Sequence, residues 1–337
     1  MRVSILLLCI CIALPVRLFA QEAATMRAIQ LQEFGGPEVL GVQEIPRPVA
    51  GAGELLLQVR AAGINPVDTG IRSGGASSLS GAVPPYVPGF DVSGVVASVG
   101  PGVTRFSVGD EVFAMLNLRR GGGYAEYAIV KSDEAAAKPP QSTHAEAASI
   151  PLVALTAWQT LFEVANLQAG QTVLIHAGAG GVGSVAIQLA KWRGARVIAT
   201  ASDYNQDFLR ELGADVPVDY RNQRFEDFAT DVDVVLDPIG GDTQVRSLAI
   251  LKEGGTLVSI VGLTPEGRNP QRNIQATSYL VRPDSEQLTA IGELISEGQV
   301  QPIVTYRFPL ERAPEAHEQS QTRRTRGKIV LEINSTP

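Results

Sequence analysis

The chain has 337 residues, with 28 lysines and arginines against 35 aspartates and glutamates and a net charge of −7. An acidic balance of that kind excludes a broad nucleic-acid-binding face, and the length suits about two domains. The only cysteines, Cys9 and Cys11, both lie in the apolar run that opens the chain.

That run differs in kind from the rest of the chain. Met1 and Arg2 give a positive start, residues 3–16 are rich in leucine and isoleucine, and Leu18-Phe19-Ala20 precedes Gln21 as a cleavage site. The stretch is too short to span a bilayer comfortably, so residues 1–25 are expected to form a signal peptide and the protein to be periplasmic or secreted. No stable membrane span is expected once it is removed, and no twin-arginine pair is present. Without the leader the chain has no thiol, which rules out a disulfide, a cysteine-ligated zinc site and a cysteine nucleophile. The alternative is a start at Met26, where Met26-Arg27-Ala28-Ile29 opens a strand, and a cytoplasmic protein.

From Met26 to about Ser149 short strands alternate with glycine and proline turns. Residues 54–61, 91–99, 110–115 and 124–130 read as β, with turns at Pro101-Gly102 and Gly121-Gly122-Gly123. A helix over 151–164 leads into a second pattern. There a strand ending at His176 enters Gly178-Ala179-Gly180-Gly181-Val182-Gly183, a helix runs to Trp192, and strands at 196–200, 216–218, 232–236 and 256–261 alternate with helices at 205–212 and 243–251. This alternation predicts a doubly wound parallel sheet. An amphipathic helix over 284–297 comes next, and a tail strand over 327–333 is expected to return to the first domain. The β domain is therefore discontinuous, 26–150 with 285–337, around a dinucleotide-binding domain at 151–284.

The glycine spacing has a physical reading. Gly178 allows a sharp turn, Gly180 lets a pyrophosphate approach the backbone, and Gly183 lets the helix lie close to the strand. The helix N-terminus offers free N–H groups to the phosphates. A glycine turn with no ligand has the same spacing; the strand before it and the helix after it favour the dinucleotide.

Several segments together carry a family resemblance: Ala61-Ala-Gly-Ile-Asn65-Pro66-Val67-Asp68, Pro88-Gly89-Phe90-Asp91-Val-Ser-Gly94, Val108-Gly109-Asp110-Glu-Val112, Gly123-Tyr124-Ala125-Glu126-Tyr127, Leu155-Thr156-Ala157-Trp158, Asp237-Pro-Ile-Gly240-Gly241 and Arg326-Gly327-Lys328. With them the chain resembles the medium-chain dehydrogenase/reductase superfamily, zinc-free quinone oxidoreductase branch. The resemblance implies a GroES-like β-barrel catalytic domain beside the Rossmann doubly wound sheet, an α/β protein overall. It also implies hydride transfer from a nicotinamide cofactor to a quinone or other conjugated carbonyl such as an enone, and it allows a homodimer. No metal is expected: the zinc-using relatives need cysteines, and this chain offers His144, His176 and His317 alone.

By the same resemblance Asn65 faces the active site and Asp68 holds its loop, while Gly70 stands where relatives often carry an aromatic residue; Tyr124, next to three glycines, is expected to line the cleft. For the cofactor, Thr156, Pro238, Val261 and Gly262 are expected near the nicotinamide. Ser202, Tyr220 and Arg323, with Arg221, favour the 2′-phosphate of NADPH; Asp203 opposes it and leaves NADH as the alternative. His176 is read as structural, and His144 and His317 as surface residues. An NADP(H)-binding protein without turnover, structural or redox-sensing, is the competing function.

Overall fold

The structure is a computed structural model that describes residues 24–333. Of the expected leader, only Ala24 and Thr25 fall within it.

Two strands form a small antiparallel sheet at the start: β1 (Thr25–Leu31) and β2 (Leu40–Pro46). The larger antiparallel body contains β3 (Glu54–Ile64), β4 (Asp91–Val99), β5 (Glu111–Met115), β6 (Tyr127–Lys131) and β7 (Ala135–Ala137). Two strands from the far end of the chain join it, β14 (Val304–Pro309) and β15 (Lys328–Glu332), in the order β14-β15-β3-β4-β5-β7 with β6 also paired to β3. Leu55, Leu57, Val92, Val112, Ile329 and Leu331 fill its core. The strand expected at 54–61 runs on to Ile64 because β15 pairs antiparallel with residues 61–64. That partner comes from more than two hundred residues away, so local pattern could not signal it.

The second sheet is built from β8 (Thr172–Ile175), β9 (Arg196–Ala201), β10 (Val216–Asp219), β11 (Val232–Asp237), β12 (Leu251–Ser259) and β13 (Gln275–Ser278). All five pairings are parallel, in the order β10-β9-β8-β11-β12-β13. The winding reverses between β8 and β11, which opens a crevice at the carboxyl ends of those strands. Strands β2, β7, β13 and β14 have no counterpart among the elements expected from sequence. Edge strand β13, Gln-Ala-Thr-Ser, has no buried residue and hence no alternation to detect.

Two helices join the units. Pro151–Trp158 is buried at every position but the last and continues as a π-helical turn over Gln159–Val164. A helix this apolar all round is a core element, packed between β4 and β5 on one side and helix Gly181–Trp192 on the other. Ser285–Ser296 is capped by Asp284, whose carboxylate accepts from the Glu286 and Gln287 N–H groups. Its apolar face, Leu288, Ile291, Leu294 and Ile295, shares a core with Phe113 of the first body and Val185 of the second. Among the described residues no helix is long and apolar enough to cross a membrane.

Because β15 covers the end of β3, a chain that stops before Lys328 leaves that edge unpaired and its apolar face open. Such a truncated protein is expected to show no cooperative thermal transition by circular dichroism, whereas removal of residues 334–337 leaves the transition in place.

Candidate active site

The turn after β8 lies at the reversal point of the sheet. Ala177, not Gly178, takes the left-handed conformation, with φ of 49°. Gly178 is needed for a different reason: a Cβ there would lie 2.9 to 3.1 Å from the side chains of Leu209, Ala199 and Ile187. Gly183 meets the expectation of close helix packing, since its Cβ would sit 2.3 Å from the Ala177 carbonyl oxygen. Gly180 is the N-cap of helix Gly181–Trp192 and has no side-chain cap, so first-turn N–H groups remain for a ligand. Beneath the turn, His176 is buried between the Thr200 hydroxyl at 3.1 Å and the Ser247 hydroxyl at 2.9 Å. Burial lowers its pKa to about 4, which keeps the ring neutral.

The loops after β11 and β12 are fastened to each other. Asp237 Oδ1 accepts from the Ile239 and Gly240 N–H groups, and Oδ2 accepts from Gln244 Nε2 at 2.6 Å. Gln244 Nε2 also donates to the Gly262 carbonyl, and its Oε1 accepts from the Thr264 N–H. Val261 is more than half exposed at this mouth.

From the phosphate turn a cleft of about 380 Å³ runs over the ends of β9 and β10. Ala179, Gly180, Ser202, Tyr220, Arg221, Arg323 and Arg324 line it, with Arg246, whose charge is committed to Glu226 at 2.7 Å. Asp203 is not among the lining residues. A cleft that combines free helix N–H groups with several arginines fits the pyrophosphate and 2′-phosphate of a dinucleotide.

On the other side of the turn lies a buried polar cluster. Lys328 Nζ donates to the Ile64 carbonyl at 2.8 Å and to Asn65 Oδ1, and stands 3.4 Å from Asp91 Oδ2. Asn65 Nδ2 donates to Asp91 Oδ2 at 2.8 Å, and Asp91 Oδ1 accepts from the Leu152 N–H at 2.7 Å. Asn65 also caps the short helix Pro66–Arg72: its backbone N–H donates to Asp68 Oδ2 at 2.7 Å, and the Tyr124 hydroxyl donates to the same oxygen at 2.9 Å. Burial raises the pKa of Asp91 and lowers that of Lys328, while Asp68 is raised to about 7, chiefly by burial.

Sequence comparison and structural comparison agree on the relatives. Residues 51–140 match the family described as "Alcohol dehydrogenase GroES-like domain" and residues 212–331 the one described as "Zinc-binding dehydrogenase". A chloroplastic NADPH-dependent alkenal/one oxidoreductase of Arabidopsis thaliana is 35% identical over 318 residues, covering 91% of this chain and 79% of that one. The solved quinone oxidoreductase of Coxiella burnetii is 36% identical with a TM-score of 0.86, over 92% of this chain and 100% of that one. A mycobacterial structure complexed with NADPH is 34% identical with a TM-score of 0.81, over 91% of this chain and 100% of that one. The chain belongs to the medium-chain dehydrogenase/reductase superfamily. It has that superfamily's α/β architecture, a GroES-like domain with a Rossmann-like parallel sheet.

Set in this superfamily, the residues named from sequence fall into two groups. Gly178, Ala179, Gly180, Gly181, Val182 and Gly183 form the glycine turn after β8, and Ser202, Tyr220 and Arg323 meet at the basic end of the cleft. Pro238, Val261 and Gly262 sit in the loops joined through Gln244. Thr156 is buried and its hydroxyl donates to the Leu152 carbonyl at 2.6 Å, within its own helix. Asn65, Asp68 and Tyr124 are assembled, but all three are buried. Tyr124 does not line the cleft: its hydroxyl turns inward to Asp68 and its ring meets His317 edge-on.

Both histidines expected at the surface require correction. His317 is fully buried, because helix Ala313–Gln321 turns that face onto Tyr124. His144 is half-buried at the start of helix His144–Ala148 and bonds Ser93 Oγ at 2.8 Å and Glu111 at 3.1 Å. Sequence alone assigns no site role to Lys328, Asp91 or Gln244. Two carboxylates, Asp68 and Asp91, in motif segments that lack a cation are the available signal for Lys328.

The raised Asp68 pKa has a definite sign in stability. The unfolded chain releases this proton near pH 4 and the folded chain near pH 7, so the folded state binds more protons between those values and stability falls as pH rises through them. Asp68→Asn removes this component. Across pH 4 to 7 the variant is expected to gain up to about 4 kcal/mol relative to wild type, read from urea unfolding at each pH.

Proposed function

We propose that this protein is an NADPH-dependent reductase that transfers a hydride to a quinone or another conjugated carbonyl without zinc. The observation that carries the proposal is the joining of a basic nucleotide cleft to the Asn65 loop through the phosphate turn. The quinone and alkenal/one reductases among the relatives support the acceptor class.

When bound, the reduced nicotinamide supplies the hydride, and a proton from water completes reduction of the carbonyl compound. Gly180 and the first turn of helix Gly181–Trp192 bind the pyrophosphate, and Ser202, Tyr220, Arg221, Arg323 and Arg324 bind the 2′-phosphate. Asp237 and Gln244 fix the two loops beside the nicotinamide site. Asn65 is oriented by Lys328 and Asp91, with Asp68 and Tyr124 holding its helix from below. One N–H of the Asn65 amide is used on Asp91, and its carbonyl oxygen is used on Lys328.

The donor set does not suit a catalytic zinc. Both cysteines lie outside the described residues, and among those residues no three histidine, aspartate or glutamate side chains gather as ligands. Without a Lewis acid the acceptor must already be electrophilic, which points to quinones and enones.

Purified protein treated with chelator is expected to oxidise NADPH with a quinone or an enone from a panel, and Asn65→Ala to lower kcat by about 10²-fold with little change in KM for NADPH. Absence of NADPH oxidation with every acceptor, together with tight NADPH binding, would favour the non-catalytic reading.

For location we propose export by the leader. The fold uses Ala24, whose carbonyl accepts from the Arg47 N–H at 2.8 Å, and Thr25, which pairs with Pro46. A mature chain from Gln21 keeps both and a start at Met26 loses them. Mass spectrometry of the N-terminus from fractionated cells is expected to find Gln21 outside the cytoplasm; Met26 in the cytoplasm would refute export.

A further inference from the structure

The segment between helix Ala313–Gln321 and β15 touches the basic end of the cleft, the glycine turn and the Asn65 loop in succession. Arg323, Arg324 and Thr325 line the basic end of the cleft. Arg326 turns away from it: Nε donates to Asn205 Oδ1 at 3.0 Å, Nη2 donates to the Tyr204 carbonyl at 3.2 Å, and the guanidinium lies over the Phe208 ring at 4.6 Å. Asn205 in turn donates from Nδ2 to Ser202 Oγ at 3.2 Å. Arg326 thus ties the loop at the tip of β9, where Ser202 faces the cleft, to the tail of the chain.

The next two residues continue inward. The Gly327 N–H donates to the Ala179 carbonyl at 2.8 Å, and Gly327 bridges Gly180 in parallel register. With φ of 60°, and a Cβ that would fall 2.4 Å from the Ile303 carbonyl oxygen, this position admits glycine alone. Lys328 then donates from its backbone to Ile303 and from Nζ to Ile64 and Asn65. Its stem also lies against the phosphate turn, 3.0 Å from where a Gly181 Cβ would stand.

We propose that residues 323–328 form a brace that transmits occupancy of the 2′-phosphate end to the Asn65 loop, with Arg326 as a positioning residue, so that the 2′-phosphate raises turnover as well as affinity. This rests on the NADPH reading above. The physical basis is order: residues 322–325 belong to no helix or strand and 322–324 are exposed, so a phosphate held by Arg323 and Arg324 removes freedom from a segment whose other end fixes Asn65. A ligand that orders a shared element lowers what the second site must spend on the same ordering.

The test compares 2′,5′-ADP with ADP, each at saturation, by hydrogen–deuterium exchange on the full protein. Neither carries a nicotinamide and only the first carries the 2′-phosphate. The brace requires 2′,5′-ADP to slow exchange at 323–328 and also at 62–68, and ADP to leave 62–68 unchanged. In Arg326→Leu the protection at 62–68 is lost while 2′,5′-ADP still binds. In steady state, wild-type kcat is expected to be about tenfold higher with NADPH than with NADH, within the range of coupling between sites, and Arg326→Leu to bring that ratio toward one. Protection confined to 323–325, or an unchanged kcat ratio in the variant, overturns the brace and leaves the cofactor assignment standing. Failure of 2′,5′-ADP to bind at all overturns both.

Discussion

The contact on which the rest of the site depends is the buried meeting of Lys328 with Asn65 and Asp91. Its three side chains come from β15, the residue after β3 and the start of β4, and Asp91 also holds the Leu152 N–H at the head of the central helix. One ammonium therefore ties the last strand of the chain to the first large sheet and, through Asp91, to the helix between the units. A buried pair of this kind gives little net stability against an apolar replacement, yet removal of one partner strands the other charge and costs about 3–5 kcal/mol. The gain is in geometry: the ion pair holds the asparagine in one orientation at the junction of two sheets.

The two sheets do different work around that junction. The parallel sheet provides a reversal point with a glycine turn whose shape is set by side chains packed behind it, and a neutral His176 supports the turn without placing a cation beneath it. The antiparallel sheet provides a floor made rigid by long pairings and closed by β15. Because β15 begins directly after Gly327, which is bonded into the phosphate turn, neither sheet can shift without disturbing the other.

The sequence is most legible where chemistry and local pattern coincide. The glycine turn, the alternation from 172 to 261 and the return of the tail can all be read, since period, turn residues and β-branched runs are local signals. The segment after Asn65 reads as a loop but forms helix Pro66–Arg72; Asn-Pro-x-Asp is an N-cap, a proline at N1 and an acid at N3, so its signal is present. Burial of His317 and the partners of Lys328 are not legible, because both are decided by elements distant in the chain. Gly178 shows the intermediate case: its place in the turn can be read, but its need comes from Leu209, Ala199 and Ile187 rather than from its own torsion angles.

Charge balance explains the unusual state of Asp68. The buried cluster holds two carboxylates, Asp68 and Asp91, and one ammonium, so full ionisation would leave a net negative charge out of contact with water. Asp91 has the closer claim on Lys328 and accepts three hydrogen bonds, from Asn65, Leu152 and Lys328. Asp68 uses Oδ2 alone, for the Asn65 N–H and the Tyr124 hydroxyl, and its buried Oδ1 has no protein partner. A carboxylic acid keeps its proton on the oxygen that accepts least, so near neutral pH the geometry already marks Oδ1 as the protonated atom. The carboxyl then caps its helix through one oxygen and stays close to neutral through the other, which reconciles a fully buried acid with a cluster that has a single cation.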